Sequence, residues 1–469
     1  MTKRVLVIGL DCAPPRLVFD HFASAMPTLR KLRATGTWGP LRSVVPPITV
    51  PAWACATTGR DAGEMGLYGF RNRASRSPAL TTSTSLDQPF PHVWDVAAAA
   101  GLRAAALFVP PSYPVRATHP NVTQIACMLT PGADVVHTHP LALADTLAAR
   151  FGPYIADLGR TFEGGAAFDA LHRMAAQHFD IAEHVLSTED PHLLFMVEIG
   201  TDRLHHLFYP ALDPADPRHA TYVLEHPHWP RRARDYYAYL DMRIGKLLAL
   251  SGPDTDVLIM SDHGARPLLG GVFINEWLRK EGLLVLKQEP DAEMPLRMED
   301  IDWTRTRAWS EGGYYARIFL NVEGREPEGI IPSSEVSTQL DAIEAALYAL
   351  PDISGRGHRI VRSSKAFRAQ QGGAPDLLVF FGDLALRSLG AVGGGQFVAT
   401  PERVERDKGR GGCNHDWEGI CVLQGRSVTR RGALRGANLI DVSRTVLGLL
   451  GLTPDDAQQG ESLLSKGIP

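Results

Sequence analysis

Three short, mostly apolar runs, each followed closely by an acidic residue, constrain this chain more than anything else in it. Val5–Leu10 is followed by Asp11, His192–Ile199 by Thr201 and Asp202, and Asp256–Met260 by Ser261, Asp262 and His263. Apolar runs of this length, bounded by turn residues, read as strands buried on both faces, the pattern of a parallel sheet. Helical spacing appears between and beyond them, at Pro27–Ala34, His92–Ala100, Ala166–Leu186, Arg232–Leu250, Ser333–Leu350 and Leu439–Leu450. Further strands are expected at Arg103–Val109 and Asp376–Phe381. The alternation predicts an α/β fold: a mostly parallel central sheet with helices on both faces. Two regions break the rhythm. Pro110–Arg160 reads as loop or a small insertion, and Pro290–Gly373 as an inserted cap. The expected core is therefore 1–289 with 374–469, and the cap 290–373. Gly393–Gly412, with its GGG and GRGG, is expected to be a loop.

The balance of 48 Lys+Arg against 52 Asp+Glu gives a net charge of -4. That argues against binding a nucleic acid polymer, which needs a basic surface. In MTKRVLVIGLD the apolar run is cut short by Asp11, so it does not make a secretory leader. No stretch approaches the roughly 20 apolar residues that span a bilayer. The five cysteines are scattered, with no CxxC pair. The expectation is a cytoplasmic protein with reduced thiols and no membrane contact.

In open parallel sheets, ligands bind beyond the carboxyl ends of the strands. Asp11, Asp202 and Asp262 fall at such ends, and His205, His206 and His263 lie beside two of them. Carboxylate oxygen and imidazole nitrogen together suit Zn²⁺ or Mn²⁺. One Asp after one strand is ordinarily a helix cap; three on the same sheet edge form a candidate metal site. Asp202 and His206 stand four apart and would share a helix face, with His205 as a rival. In PPITVPAW (46–53), Pro51 fits a first helical turn and places Thr49 at or just before the helix N-terminus. Thr49 is then either a plain N-cap or a nucleophile. His415, in CNHDWEG (413–419), is a distant imidazole that matters only in combination.

These pieces resemble the alkaline phosphatase superfamily, and within it the type I phosphodiesterase/nucleotide pyrophosphatase branch. The likeness is nearest to a bacterial group of predicted phosphohydrolases or phosphomutases. It is carried by VLVIGLD (5–11), PPITVPAW (46–53), TTGRDAGEMGLYGF (57–70), TDRLHH (201–206), SDHG (261–264), NEWLRKEGLL (275–284), GCNHDWEGI (412–420) and IDVSRTVLGLLG (440–451). The resemblance implies two divalent ions, zinc by family habit with manganese also suited. Asp11, Thr49, Asp262 and His263 would hold one, and Asp202, His206 and His415 the other. It implies Thr49 as nucleophile and a phospho-threonine intermediate. The sulfatase branch is disfavoured, because Thr-Val-Pro-Ala-Trp stands where a CxPxR-type motif would be. In one place the chain departs from the branch. The family's phosphate-binding Asn falls on Phe70, and Asn72 or Arg71 is the nearby substitute.

The resemblance leads to hydrolysis of a phosphodiester or nucleotide pyrophosphate bond in a small molecule. A phosphomonoesterase or phosphomutase on the same site is the alternative within enzymes, and an inactive binding protein the alternative outside them. Arg71, Asn72, Arg203 and Arg266 are candidates to grip phosphate. Trp53 and Phe70 are candidates to stack on a base or sugar, as are Tyr314 and Tyr315.

Overall fold

Val5–Leu10 pairs in parallel with Leu193–Glu198 on one side and Asp256–Met260 on the other, and every one of its residues is buried. The computed structural model describes residues 3–116, 119–158, 164–408 and 412–466. It divides into two compact units: Met1–Phe70 with Ser83–Ala265 and Asp416–Pro469, and Arg71–Thr82 with Arg266–His415. Residues 290–373, expected as a cap, all fall in the second unit, which also takes in 71–82, 266–289 and 374–415.

The first unit is built on a nine-stranded sheet. Its order is Gly432–Ala433, Thr37–Arg42, Glu418–Gln424, Asp256–Met260, Val5–Leu10, Leu193–Glu198, Ala104–Leu107, Val122–Ile125 and Thr138–His139. The pairings from Asp256–Met260 through Val122–Ile125 are parallel. Glu418–Gln424 and Thr138–His139 run against their neighbours. Strand alternation sends Val5 and Val7 to one face, where Trp53, Trp94, Ala97, Val442, Val446 and Leu449 close a core. Leu6, Ile8 and Leu10 are equally buried on the other face. There Gly165–Glu189 and Trp229–Ser251 pack on one another and Gly165–Glu189 lies along Leu193–Glu198. Each fully buried aliphatic or aromatic side chain contributes roughly 1.5–3 kcal/mol. The sheet is thus mostly parallel with helices on both faces, as the alternation predicts.

Two expectations need correction. Pro110–Arg160 is not mere loop: Val122–Ile125 and Thr138–His139 extend the sheet, and Leu143–Phe151 is a helix. The polar Thr123 and Gln124 mask the first of these strands in the sequence, although both are buried. Gly393–Gly412 likewise holds the strand Val398–Ala399 and the helix Pro401–Lys408, while 409–411 lie outside the described residues. Among the described residues, no helix is long and apolar enough to cross a membrane.

The second unit has its own core around the antiparallel sheet Ala308–Glu311, Ala316–Leu320, Leu377–Phe380 and Arg359–Arg362. Trp309, Ile318 and Phe319 pack there with Leu340, Ile343 and Leu347 of helix Val336–Tyr348. Leu377–Phe380 is a strand, as expected, but of this sheet rather than the parallel one.

His92 makes a testable contribution to the first unit. Its Nε2 lies 2.9 Å from the Gln88 amide nitrogen, and its Nδ1 2.8 Å from Thr57 Oγ1. The Gln88 N–H donates, so Nε2 accepts and Nδ1 carries the hydrogen. Burial pushes its pKa down to about 4 from an ordinary 6.5. The folded-state value lies below the unfolded one, so the stabilisation is present above pH 6.5 and lost as pH falls toward 4. Its full size is about 3 kcal/mol. Urea denaturation at pH 7.5 and 4.5 should show a smaller acid loss in His92→Gln than in the wild type. Equal losses would contradict this account of His92.

Candidate active site

Asp11 follows the central strand and is wholly buried. Its Oδ2 accepts a hydrogen bond of 2.7 Å from the Trp53 indole N–H, and its backbone carbonyl accepts one from Thr201 Oγ1. Trp53 reaches it across Gly9, where a Cβ would stand 2.3 Å from the indole ring. Glycine is required there by this close approach, not by its backbone angles. Cys12 then adopts a left-handed φ of 62°, and its backbone N–H donates to Asp262 Oδ1 at 3.2 Å. The turns after two neighbouring strands are thereby tied together.

Thr49 is the first residue of helix Thr49–Thr58, all of whose residues are buried. Its Oγ1 lies 3.4 Å from His263 Nε2. That nitrogen is also 3.2 Å from Asp262 Oδ2 and 3.7 Å from Asp11 Oδ1. Asp202 and His206 sit on helix Gly200–Leu212, one turn apart, with His206 Nε2 3.2 Å from Asp202 Oδ1. His205 points elsewhere, its Nε2 2.7 Å from the Tyr237 hydroxyl, and burial pushes it down to about 3. One ligand atom each from Asp11, Asp202 and His263 lie within 4.8 Å of one another.

This arrangement fits cations. Burial, and then the neighbouring carboxylates, hold Asp11 and Asp262 well above the usual carboxylate range. Asp11 Oδ1 and Asp262 Oδ2 are buried without a hydrogen-bond donor among the described residues. His263 Nδ1 lies 3.1 Å from the Gly264 carbonyl, which only accepts, so Nδ1 carries the hydrogen. Burial pushes His263 down to about 4, so at neutral pH its Nε2 turns a lone pair toward carboxylate oxygens. Lone pairs facing one another in a dry site are unfavourable, and a dication among them removes the conflict. Hard oxygens with imidazole suit zinc or manganese.

Residues 5–392 match the model of the type I phosphodiesterase / nucleotide pyrophosphatase family. The chain belongs to that family. It is a phosphoester hydrolase by class. No curated protein matches it in sequence. Among solved structures it is similar to phosphonoacetate hydrolase from Sinorhizobium meliloti 1021 in complex with phosphonoformate, at 14% identity over 96% of each chain with a TM-score of 0.57. It is also similar to murine ectonucleotide pyrophosphatase / phosphodiesterase 5, at 14% identity over 98% of each chain with a TM-score of 0.53. An inactive variant of that mouse protein in complex with AMP matches at 13% identity over 98% of this chain and 97% of that one, with a TM-score of 0.51. At such identities the likeness shows a shared fold.

The remaining residues of interest in this phosphodiesterase-family chain divide between the units. In the first, Trp53 was expected to stack on substrate, but it is wholly buried and holds Asp11. Its position four residues after Thr49 puts both on one side of the helix, a signal that spacing carried. Arg203 was expected to grip phosphate; its guanidinium instead bonds Asp157 at 2.7 and 2.8 Å and Asp202 at 2.6 Å. Phe70 is half-buried. In the second unit, Arg71 is exposed and its carbonyl accepts a bond from Arg317, while Asn72 is buried. Arg266 donates to the Asp383 carbonyl. His415 is buried there, its ring stacked on Tyr314 with centroids 4.0 Å apart. The cysteines Cys12, Cys55, Cys127, Cys413 and Cys421 are buried and unbridged.

Trp53→Phe removes the N–H that holds Asp11, together with the benzo ring that lies on Gly9. Loss of such a ligand-orienting bond typically costs about 10–100-fold. We expect that drop in kcat/KM on a phosphate ester, with a lowered thermal midpoint as well, because the lost ring leaves a cavity in a wholly buried site. Wild-type activity in the variant would show that the indole does not orient Asp11.

Proposed function

We propose that the chain is a two-metal phosphodiesterase of the nucleotide pyrophosphatase type, working through a phospho-threonine at Thr49. The observation that carries this reading is the seating of Thr49 Oγ1 beside His263, in a group that includes the buried Asp11, Asp262 and Asp202 and the half-buried His206. Asp11, Thr49, Asp262 and His263 would hold one ion, and Asp202 and His206 would belong to the other. His415 keeps the ligand role that the resemblance assigns it. When bound, the ions neutralise the carboxylates and stabilise charge on phosphoryl oxygens. Trp53 and the Gly264 carbonyl fix the orientation of Asp11 and His263. Arg203 fixes Asp202 and offsets part of its charge. Thr49 sits at a helix N-terminus, where the dipole favours an anionic phosphate. Its oxygen forms the new bond to phosphorus as the bond to the leaving alcohol breaks. Water then breaks the bond between phosphorus and threonine, freeing Thr49 and a phosphate monoester.

The substrate is read as a small phosphate ester, with nucleotides among the candidates. The unbridged thiols favour a reducing compartment such as the cytoplasm. A panel of bis-p-nitrophenyl phosphate, p-nitrophenyl phosphate and dinucleotides tests the reading. Diester turnover well above monoester turnover is expected; turnover of the monoester alone would replace it with a phosphomonoesterase.

A further inference from the structure

Glu198 ends the strand Leu193–Glu198 and is wholly buried, yet it is not among the residues placed around the ions. Its backbone carbonyl accepts the Asp11 N–H at 3.1 Å. Its Oε1 accepts the N–H of Gly200 at 2.8 Å, the first residue of the helix that carries Asp202 and His206. A Cβ on Gly200 would stand 2.0 Å from the Tyr236 hydroxyl and 2.6 Å from Glu198 Oε1, so a side chain there would displace one or both. The other carboxyl oxygen, Oε2, lies 3.1 Å from Nδ1 of His178.

His178 is itself buried, stacked on Phe108 with ring centroids 4.3 Å apart. Its Nε2 lies 2.8 Å from the Ile155 carbonyl. A carbonyl only accepts, so Nε2 carries a hydrogen. The contact between Nδ1 and Oε2 then needs one more proton, held by one partner and accepted by the other. The two groups form a net-neutral unit, which removes the large cost of an unpaired buried carboxylate.

We propose that Glu198 and His178 are a positioning pair for the metal site: they anchor the N-terminus of the Asp202 helix to the strand end beside Asp11, and so set how closely Asp11 and Asp202 approach. This rests on the two-metal reading above. Neither residue touches substrate in this account.

The test uses the full-length protein, Co²⁺ as the probe, and three variants. Glu198→Gln keeps an oxygen for Gly200 N–H and offers an amide N–H to neutral His178, so Co²⁺ affinity within about 3-fold of wild type is expected. Glu198→Ala removes both bonds. It should weaken Co²⁺ binding about 10–100-fold, by calorimetry and by the d–d absorption of the bound ion, and lower kcat on bis-p-nitrophenyl phosphate more than it raises KM. Wild-type Co²⁺ affinity in Glu198→Ala overturns the proposal, as does a Glu198→Gln no better than Glu198→Ala. If Glu198→Ala does not fold, His178→Phe keeps a ring against Phe108 without the nitrogens; weaker Co²⁺ binding supports the proposal and unchanged binding overturns it. A wild-type protein that neither binds Co²⁺ nor turns over phosphate esters contradicts the two-metal reading instead.

Discussion

Thr49→Ala is expected to lower turnover of bis-p-nitrophenyl phosphate by about 10³-fold or more, with the protein still folded and its metal content retained. Thr49 is only 2% exposed, but the helix does not depend on its hydroxyl. The residue preceding the helix is Ile48, and no side-chain cap is made there. The near contact of Oγ1 is His263 Nε2, at 3.4 Å. Removing the oxygen therefore removes the attacking group and one proposed ligand of the ion, which Asp11, Asp262 and His263 would still hold. Thr49→Ser, which keeps the oxygen, should retain much of the activity. Steady-state rates with elemental analysis of each variant check both statements. Full activity in Thr49→Ala would sink the nucleophile assignment.

Chelation should have the second large effect: loss of activity, return of activity with added Zn²⁺ or Mn²⁺, and a thermal midpoint lowered by several degrees. The physical cause lies in Asp11 and Asp262, both buried and both held above their ordinary 3.8. A carboxyl whose folded-state pKa exceeds its unfolded value contributes stability at low pH that is lost as pH rises through the folded-state value. A bound dication offsets that loss, because it favours the charged form. The gap in thermal midpoint between metal-loaded and metal-free protein should therefore widen from acid toward neutral pH. Differential scanning calorimetry across that range measures it; a gap that narrows as pH rises would mean that the carboxylates are not the metal's ligands.

Both predictions draw on residues that stand out in the sequence, and the reason is physical. Strands buried on both faces of a parallel sheet are mostly apolar, so Val5–Leu10 and Asp256–Met260 are legible to the residue. The acids that follow such strands then share an edge by topology alone. The helix of Thr49 is legible from Pro51. What spacing does not carry is the fate of side chains that bond across the fold. Arg203 looks like a phosphate ligand until Asp157, 46 positions earlier, is seen beside it. Trp53 looks like a stacking platform because nothing in a linear pattern shows that every face of its helix is covered. Val122–Ile125 is hidden because Thr123 and Gln124 are polar yet buried. Leu377–Phe380 shows how a continuous apolar run fails to report its partners: it reads as a parallel strand and pairs antiparallel with Ala316–Leu320 and Arg359–Arg362.

The central claim is that Asp11, Asp202, Asp262, His206, His263 and Thr49 gather around a pair of cations. Anomalous diffraction from zinc-loaded crystals tests it most directly. Two peaks roughly 3.5–4 Å apart are predicted, one within bonding distance of Asp11, Thr49, Asp262 and His263 and the other of Asp202 and His206. Peaks elsewhere, or none beside the buried oxygens of Asp11 and Asp262, would contradict it.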